Sequence, residues 1–311
     1  MELREVPEPT PGPGQVLVRN AAIGVNYVDT YHHSGLYPAN LPFVLGQEGA
    51  GTVEAVGVGV KSPRVGDRVA YANIPGAYAE LTALPAERAA AVPSRLDLEQ
   101  AAAVMLQGMT AHYLVTDACP LARGDVVLVH AAAGGVGFLL VQMARMRGAV
   151  VIATVSTPEK EARAREAGAR EVIRYTEKDF VAEVKRITDG TGVRAVFDAV
   201  GRDTFLKSLE CLARRGMLVS YGQSSGKIEG FDPATLSRGS LYLTRPTLQH
   251  YIADTESLRR RAAAVLRWVA GGKLSVRIGA RFPLKDAAEA HRQLPARKTM
   301  GKVLLTVQGV A

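Results

Sequence analysis

One segment constrains the fold more than any other: GDVVLVHAAAGGVGFLLVQMARMRG, residues 124–148. It opens with a short, nearly all-apolar run, GDVVLVHA at 124–131. Such a run suits a parallel strand covered on both faces. A glycine-rich turn follows, and an apolar helix opens directly out of it at 134–148. The rhythm then repeats: AVVIATVS (149–156), a charged helix (158–168), EVIRY (171–175), a helix (177–188), RAVFDAV (194–200), a helix (203–213) and GMLVSYG (216–222). SLYLTR (240–245) adds a final strand. Strand and helix alternate five times, which predicts an α/β class with a doubly wound parallel sheet.

In the turn HAAAGGVG (130–137), Ala131, Gly134 and Gly137 give an A-x-x-G-x-x-G spacing. Gly134 and Gly135 let the backbone approach a pyrophosphate, whose charge faces the free N–H groups and positive end of the helix. Gly137 lets helix and strand pack closely. The plain alternative is a helix that begins with flexible residues, but the strand–turn–helix context favours a dinucleotide.

The second strand of the repeat ends at VIATVS. A cofactor with a free ribose diol usually meets Asp or Glu about 20 residues beyond the first glycines. Ser156 and Thr157 stand there instead, and Lys160 follows one helical turn later. Hydroxyls and an ammonium hold a 2′-phosphate that a carboxylate would repel, so the pattern points to NADP rather than NAD. The alternative for Lys160 is a solvated helix lysine. Tyr175 ends the next strand and could cover the adenine, or be a packed or surface tyrosine. Ligands bind outside the C-terminal ends of such strands. Gly201 in DAVG reaches that edge, where it could contact a nicotinamide. Tyr221, Gly222 and Gln223 in SYGQSSG reach it too, although turn chemistry alone would also explain the glycines.

The flanking blocks differ. Residues 1–105 carry short β-rich pieces separated by turns: VLVRNAAIG (16–24), AGTVEAVGVGV (50–60), GDRVAYA (66–72) and GAYAELTALPA (76–86). They predict twisted antiparallel or barrel-like β structure. A helical stretch at 98–119 leads into the middle block, 106–245. After 246 come an amphipathic helix at 256–272, strand material in SVRIGARFPL, a helix in DAAEAHRQLPA and a terminal strand, GKVLLTV. If that strand returns to the first sheet, residues 106–245 form a domain inserted in one made of 1–105 and 246–311.

Composition excludes several classes. Two cysteines cannot staple 311 residues or form a four-cysteine zinc site. Cys119 and Cys211 are expected in a reduced interior rather than as catalytic thiols. No apolar run approaches the ~20 residues of a membrane span, and MELREVPEP does not read as a signal peptide, so the expected site is the cytoplasm. The net charge of +8 attracts phosphates or nucleic acid at long range, and equally keeps a protein soluble. Arginines interspersed with glutamates, as in EKEARAREAGAR, form no continuous basic stripe, which argues against nucleic acid.

Several pieces together carry a family resemblance: AAIGVNYVDTYHHSGLYP, LGQEGAGTVEAVG, VGDRV, QGMTAHYL, HAAAGGVG, FDAVGRDTF, SYGQSSG and RKTMGKVLL. In this order they resemble the zinc-independent NADPH:quinone oxidoreductase (zeta-crystallin-like) family of the medium-chain dehydrogenase/reductase superfamily. The resemblance implies a Rossmann NADP-binding domain inserted in a GroES-like, mostly β catalytic domain. It puts Asn26, Asp29 and Tyr31 at the active-site positions of the N-x-x-D-x-Y segment. It gives Gly134, Gly135 and Val136 to the pyrophosphate, Lys160 and Tyr175 to the adenosine phosphate end, and Tyr221, Gln223 and Arg297 to further cofactor contacts. In zinc alcohol dehydrogenases, a histidine and a cysteine bind zinc where this chain has Gln47 and Asn26. Family members usually carry an extra β-hairpin ahead of the segment matching ELREVPEP, at which this chain opens.

The resemblance implies hydride transfer from NADPH to a quinone, and a homodimer formed through the nucleotide-domain sheet. Asn26 and Tyr31 are expected to donate hydrogen bonds to the developing oxyanion. Asp29 is expected to orient a neighbour or the ribose, or simply to cap a turn. The nearest rival reaction is NADPH-dependent reduction of the C=C bond of an α,β-unsaturated carbonyl. A rival of another class is a non-enzymatic NADPH- or RNA-binding role.

Overall fold

The computed structural model describes residues 1–38, 40–294 and 300–307. In chain order its strands are β1 (Gln15–Val25), β2 (Glu48–Val56), β3 (Arg68–Ala72), β4 (Leu81–Pro85), β5 (Ala90–Ala91), β6 (Val126–Val129), β7 (Val150–Val155), β8 (Glu171–Arg174), β9 (Val193–Asp198), β10 (Leu212–Ser220), β11 (Tyr242–Thr244), β12 (Ile278–Pro283) and β13 (Lys302–Thr306). Its α-helices are α1 (Tyr27–His33), α2 (Leu98–Tyr113), α3 (Gly135–Met146), α4 (Pro158–Ala167), α5 (Phe180–Ile187), α6 (Phe205–Glu210), α7 (Leu248–Tyr251), α8 (Thr255–Ala270) and α9 (Ala287–Gln293). The chain divides into two units, Met1–Met109 with Tyr251–Ala311, and Thr110–His250.

The first unit is built on a seven-stranded sheet in the order β12-β13-β1-β2-β3-β5, with β4 also paired to β1. The last strand pairs antiparallel with the first, Val25 opposite Val303 and Ala22 opposite Thr306. The sheet therefore joins segments 278 to 284 residues apart in sequence. Val16, Val18, Ile23, Val69, Leu84 and Leu305 meet in its core.

The second unit has six parallel strands in the order β11-β10-β9-β6-β7-β8. Counting from β6, that is 6-5-4-1-2-3, so the order reverses between β6 and β9. Ligand sites of doubly wound sheets lie at this reversal, outside the carboxyl ends of the strands. Leu128, Ile152, Val184, Val196, Phe205 and Leu218 fill its core. These residues come from both strands and helices, as burial of a parallel sheet under helices requires.

Some boundaries differ from the sequence reading for local reasons. The helix expected at 98–119 is α-helical only to Tyr113 and widens into π-type turns over Leu114–Ala118. There the Thr116 hydroxyl donates back to the His112 carbonyl at 2.8 Å, a bond that opens a helix backbone. The strand expected from 216 begins at Leu212, and its register shifts before Met217, where Arg215 takes φ +60°.

Candidate functional site

The glycine turn sits where β6 ends and α3 begins. Gly134 is the N-cap, and the first intrahelical bond runs from the Phe138 N–H to the Gly134 carbonyl at 2.9 Å. The amides of Gly135, Val136 and Gly137 therefore lack helical acceptors. A Cβ on Gly137 would overlap the Ala131 carbonyl oxygen and lie 2.9 Å from Ala132 Cα. Helix and turn pack so closely there that only glycine fits. Beneath the turn, buried His130 spans from Thr154 Oγ1 (2.8 Å) to Ser208 Oγ (3.0 Å). Burial pushes its pKa down, so the ring is neutral and ties β6, β7 and α6 together without a charge. Three open amides at a helix start, on a braced turn, fit a pyrophosphate.

The residues expected at the adenosine end come from the adjacent strands. Ser156 directly follows β7, and Thr157 caps α4 by accepting the Lys160 N–H at 3.3 Å. That cap directs the Lys160 side chain back, and its Nζ reaches Ser156 Oγ at 3.1 Å. Tyr175 directly follows β8, 40% exposed, with its N–H on the Val155 carbonyl at 3.1 Å. Ser156, Lys160 and Tyr175 thus stand together at the ends of β7 and β8.

Gly201 and Gln223 meet at the ends of β9 and β10. Gly201 takes φ +90°, and a Cβ there would lie 2.9 Å from Gln223 Cα. The Asp198 carboxylate fixes this edge, accepting from Val200 N at 2.7 Å and Thr204 Oγ1 at 2.8 Å. The Tyr221 hydroxyl is buried with no hydrogen-bond partner among the described residues, and burial raises its pKa. Sequence reasoning missed Arg245, which follows β11. Its guanidinium donates to Gln223 Oε1 at 3.0 Å and Ser220 Oγ at 3.1 Å, placing a cation at the same edge. Arg297 lies outside the described residues.

In the other unit, Asn26 and Asp29 start α1 and Tyr31 lies within it. Asn26 is buried and fully engaged. Its amide nitrogen donates to Glu48 Oε2 (2.8 Å) and the Gly24 carbonyl (3.3 Å), and its oxygen accepts from Lys302 Nζ (2.7 Å) and Gln107 Nε2 (3.3 Å). Two hydrogens and two lone pairs are all an amide side chain has. In this arrangement both amide hydrogens of Asn26 are engaged, and the side chain joins a buried Glu48–Lys302 ion pair. Glu48 Oε1 also accepts the Leu106 N–H. Asp29 Oδ2 accepts the Asn26 N–H at 2.8 Å and the Tyr78 hydroxyl at 3.1 Å. Burial lifts its carboxyl to about 7, against the pull of those donors and of Lys302. Tyr31 packs edge-on to Tyr37, ring centroids 5.3 Å apart. Tyr78 and His291, which sequence reasoning also missed, complete the group. Among the described residues, no cluster of three or more His, Cys, Asp or Glu is arranged to hold a metal ion.

Two family models match the chain. Residues 12–118 match the alcohol dehydrogenase GroES-like domain, and residues 135–270 match the zinc-binding dehydrogenase domain. A quinone oxidoreductase of Pseudomonas aeruginosa is 48% identical over 98% of this chain and 95% of its own. A 2-haloacrylate reductase of Burkholderia is 44% identical over 98% of this chain and 94% of its own. The crystal structure of Escherichia coli quinone oxidoreductase complexed with NADPH superposes with a TM-score of 0.95 at 44% identity, covering 97% of this chain and 94% of that one. With an inserted doubly wound domain, a braced glycine turn and relatives matched along nearly its whole length, the chain belongs to the quinone oxidoreductase family of the medium-chain dehydrogenase/reductase superfamily.

Proposed function

We propose that this chain is an NADPH:quinone oxidoreductase, with Gly134, Gly135, Val136 and Gly137 on the pyrophosphate and Ser156, Lys160 and Tyr175 on the adenosine phosphate end. The observation that carries the cofactor is the Lys160–Ser156 pair at the end of β7. An ammonium and a hydroxyl stand where a diol-binding carboxylate would be needed for NAD. When bound, NADPH supplies the hydride. The chain's part is to hold the dinucleotide by backbone amides, keep the ends of β9 and β10 rigid through Asp198, and present the polar groups around Asp29. The quinone acceptor is supported by the names of relatives that match along nearly the whole chain. A quinone needs little polarisation, because its reduction makes an aromatic ring.

Replacing Lys160 with alanine removes a charge-assisted bond worth about 1.5–3 kcal/mol, so the Kd for NADPH rises about tenfold or more. The Kd for NADH stays near the wild-type value. Fluorescence titration with both cofactors checks this, and an unchanged ratio of the two constants defeats the assignment.

A second reading keeps the cofactor and changes the acceptor to an activated C=C bond, favoured by the 44% identical 2-haloacrylate reductase. NADPH oxidation across a panel of quinones, enones and haloacrylates, under one set of conditions, decides between them. Quinones are expected to give the highest kcat/KM; enone or haloacrylate turnover well above them overturns the first reading. The proposal carries with it a homodimer, from the family resemblance, and the cytoplasmic site expected above. No helix among the described residues is long and apolar enough to cross a membrane.

A further inference from the structure

Asp29, Tyr78 and His291 stand in one hydrogen-bonded row that the reading above leaves without a task. The Tyr78 oxygen lies 3.1 Å from Asp29 Oδ2 and 2.9 Å from His291 Nε2. The three come from separate pieces of chain: α1, the loop ahead of β4, and α9. Asp29 and His291 are buried, and Tyr78 is half-buried. At each end of the row one buried atom has no hydrogen-bond partner among the described residues: Asp29 Oδ1 at one end and His291 Nδ1 at the other.

A phenol has one hydrogen, so the row has two orders. With Asp29 ionised, Tyr78 donates to Asp29 and His291 donates its Nε2–H to Tyr78. With Asp29 protonated, the carboxyl donates to Tyr78, Tyr78 donates to His291 Nε2, and the ring hydrogen sits on Nδ1. The first order becomes the second when one proton enters at Nδ1. The Nε2–H bond breaks as a new Tyr78 O–H forms, and the old Tyr78 O–H breaks as Asp29 Oδ2–H forms. No charge remains on the ring or the phenol. Exposed His33 lies edge-on to His291, centroids 5.3 Å apart.

We propose that His291 and Tyr78 are positioning residues of a proton relay that loads Asp29 with the proton consumed in quinone reduction; the proposal rests on that reading of the activity. A hydride added to a quinone gives the hydroquinone monoanion. The proton from Asp29 completes the hydroquinone and leaves Asp29 ionised. The Tyr78 hydroxyl then turns back to Asp29, the imidazole gives up its Nδ1 proton and takes one at Nε2 from solvent, and the next proton enters at Nδ1 to reload Asp29. The surrounding charges suit this. Asp29 faces Lys302 of β13, Glu48 of β2 and Tyr78, and burial brings its carboxyl to about 7. His291 faces His33 of α1 and the amino terminus, and burial first and those neighbours second hold it down at about 4. At neutral pH the carboxyl exchanges between its two forms, and the imidazole passes a proton on without keeping it.

Infrared titration of the full chain, without cofactor or acceptor, tests the relay. The Asp29 carboxyl band is identified by its loss in Asp29→Asn. In Tyr78→Phe the ionised carboxyl loses a donor, so its midpoint rises by about one pH unit. In His291→Gln a hydrogen-bonding group remains but no transferable ring proton. The midpoint then stays near that of the wild type, while reprotonation of Asp29 after a pH jump slows about tenfold or more. The solvent isotope effect on kcat rises in the same variant. His291→Asn serves as a second variant, and a wild-type Tm in either one shows that the fold is kept. Wild-type midpoint in Tyr78→Phe together with wild-type reprotonation in His291→Gln overturns the relay. Failure of the quinone reading looks different: no variant, nor the wild type, oxidises NADPH with a quinone, whatever the infrared titration gives.

Discussion

Replacing Lys302 with methionine is expected to cost about 3–5 kcal/mol of stability, the usual effect of breaking a buried ion pair from one side. Both side chains of the Glu48–Lys302 pair are almost wholly excluded from solvent, at 0% and 1% exposure. Lys302 Nζ also donates to Asn26 Oδ1 at 2.7 Å. Without it, among the described residues the Glu48 carboxylate keeps the Asn26 amide and the Leu106 N–H. Two neutral donors do not offset the desolvation of a full charge. The space around the pair is fixed as well: a Cβ on Gly24 would lie 2.7 Å from Glu48 Cδ and 2.8 Å from Lys302 Cε. The double variant Glu48→Gln, Lys302→Met removes both charges and recovers most of the loss, because no unpaired charge then stays buried. Denaturant unfolding of the wild type, both single variants and the double variant gives the coupling. A loss below about 1 kcal/mol for Lys302→Met, the size of an exposed pair, would show that the pair does not carry this part of the fold.

The same residues show what a sequence can and cannot display. The strands of the parallel sheet and the turn at 130–137 are legible because their signals are local: apolar runs, glycines and the spacing between them. The pairing of Ser156 with Lys160 is legible for the same reason, since the two are one helical turn apart and bond directly. Asn26 is not legible in this way. Its partners Glu48, Gln107 and Lys302 lie 22, 81 and 276 residues away, and together they place Asn26 at the centre of a buried network. The only local sign of Lys302 is a lysine opening an apolar terminal strand, and that sign does not name its partner. His130 likewise stands at the head of the glycine motif in sequence. Its role as a brace appears only when Thr154 and Ser208 are brought to its two ring nitrogens.

Gly137→Ala and Gly134→Ala should separate the two uses of glycine in the turn. At Gly137 an added Cβ meets backbone on both sides, the Ala131 carbonyl and Ala132 Cα, and neither can rotate away. The helix start must shift outward, at a cost of about 1–3 kcal/mol, as for other overpacked sites. The amides of Gly135, Val136 and Gly137 move with it. Losing two charge-assisted bonds to a pyrophosphate, at about 1.5–3 kcal/mol each, weakens binding about 100-fold or more. NADPH and NADH share the pyrophosphate, so both should weaken alike, in contrast to Lys160→Ala. Gly134 has φ −75°, which any residue adopts, and its Cβ would meet only the Ala131 oxygen at 3.1 Å. Its substitution should cost no more than about 1 kcal/mol in stability. If the backbone at Gly134 also touches the pyrophosphate, cofactor affinity still falls, because the methyl group stands between them. Thermal unfolding and cofactor titration on the two variants give the four numbers needed. A Gly137→Ala protein with wild-type Tm and wild-type Kd would mean that the turn tolerates a side chain, and the close helix–turn packing would no longer explain how the amides are held for the phosphates.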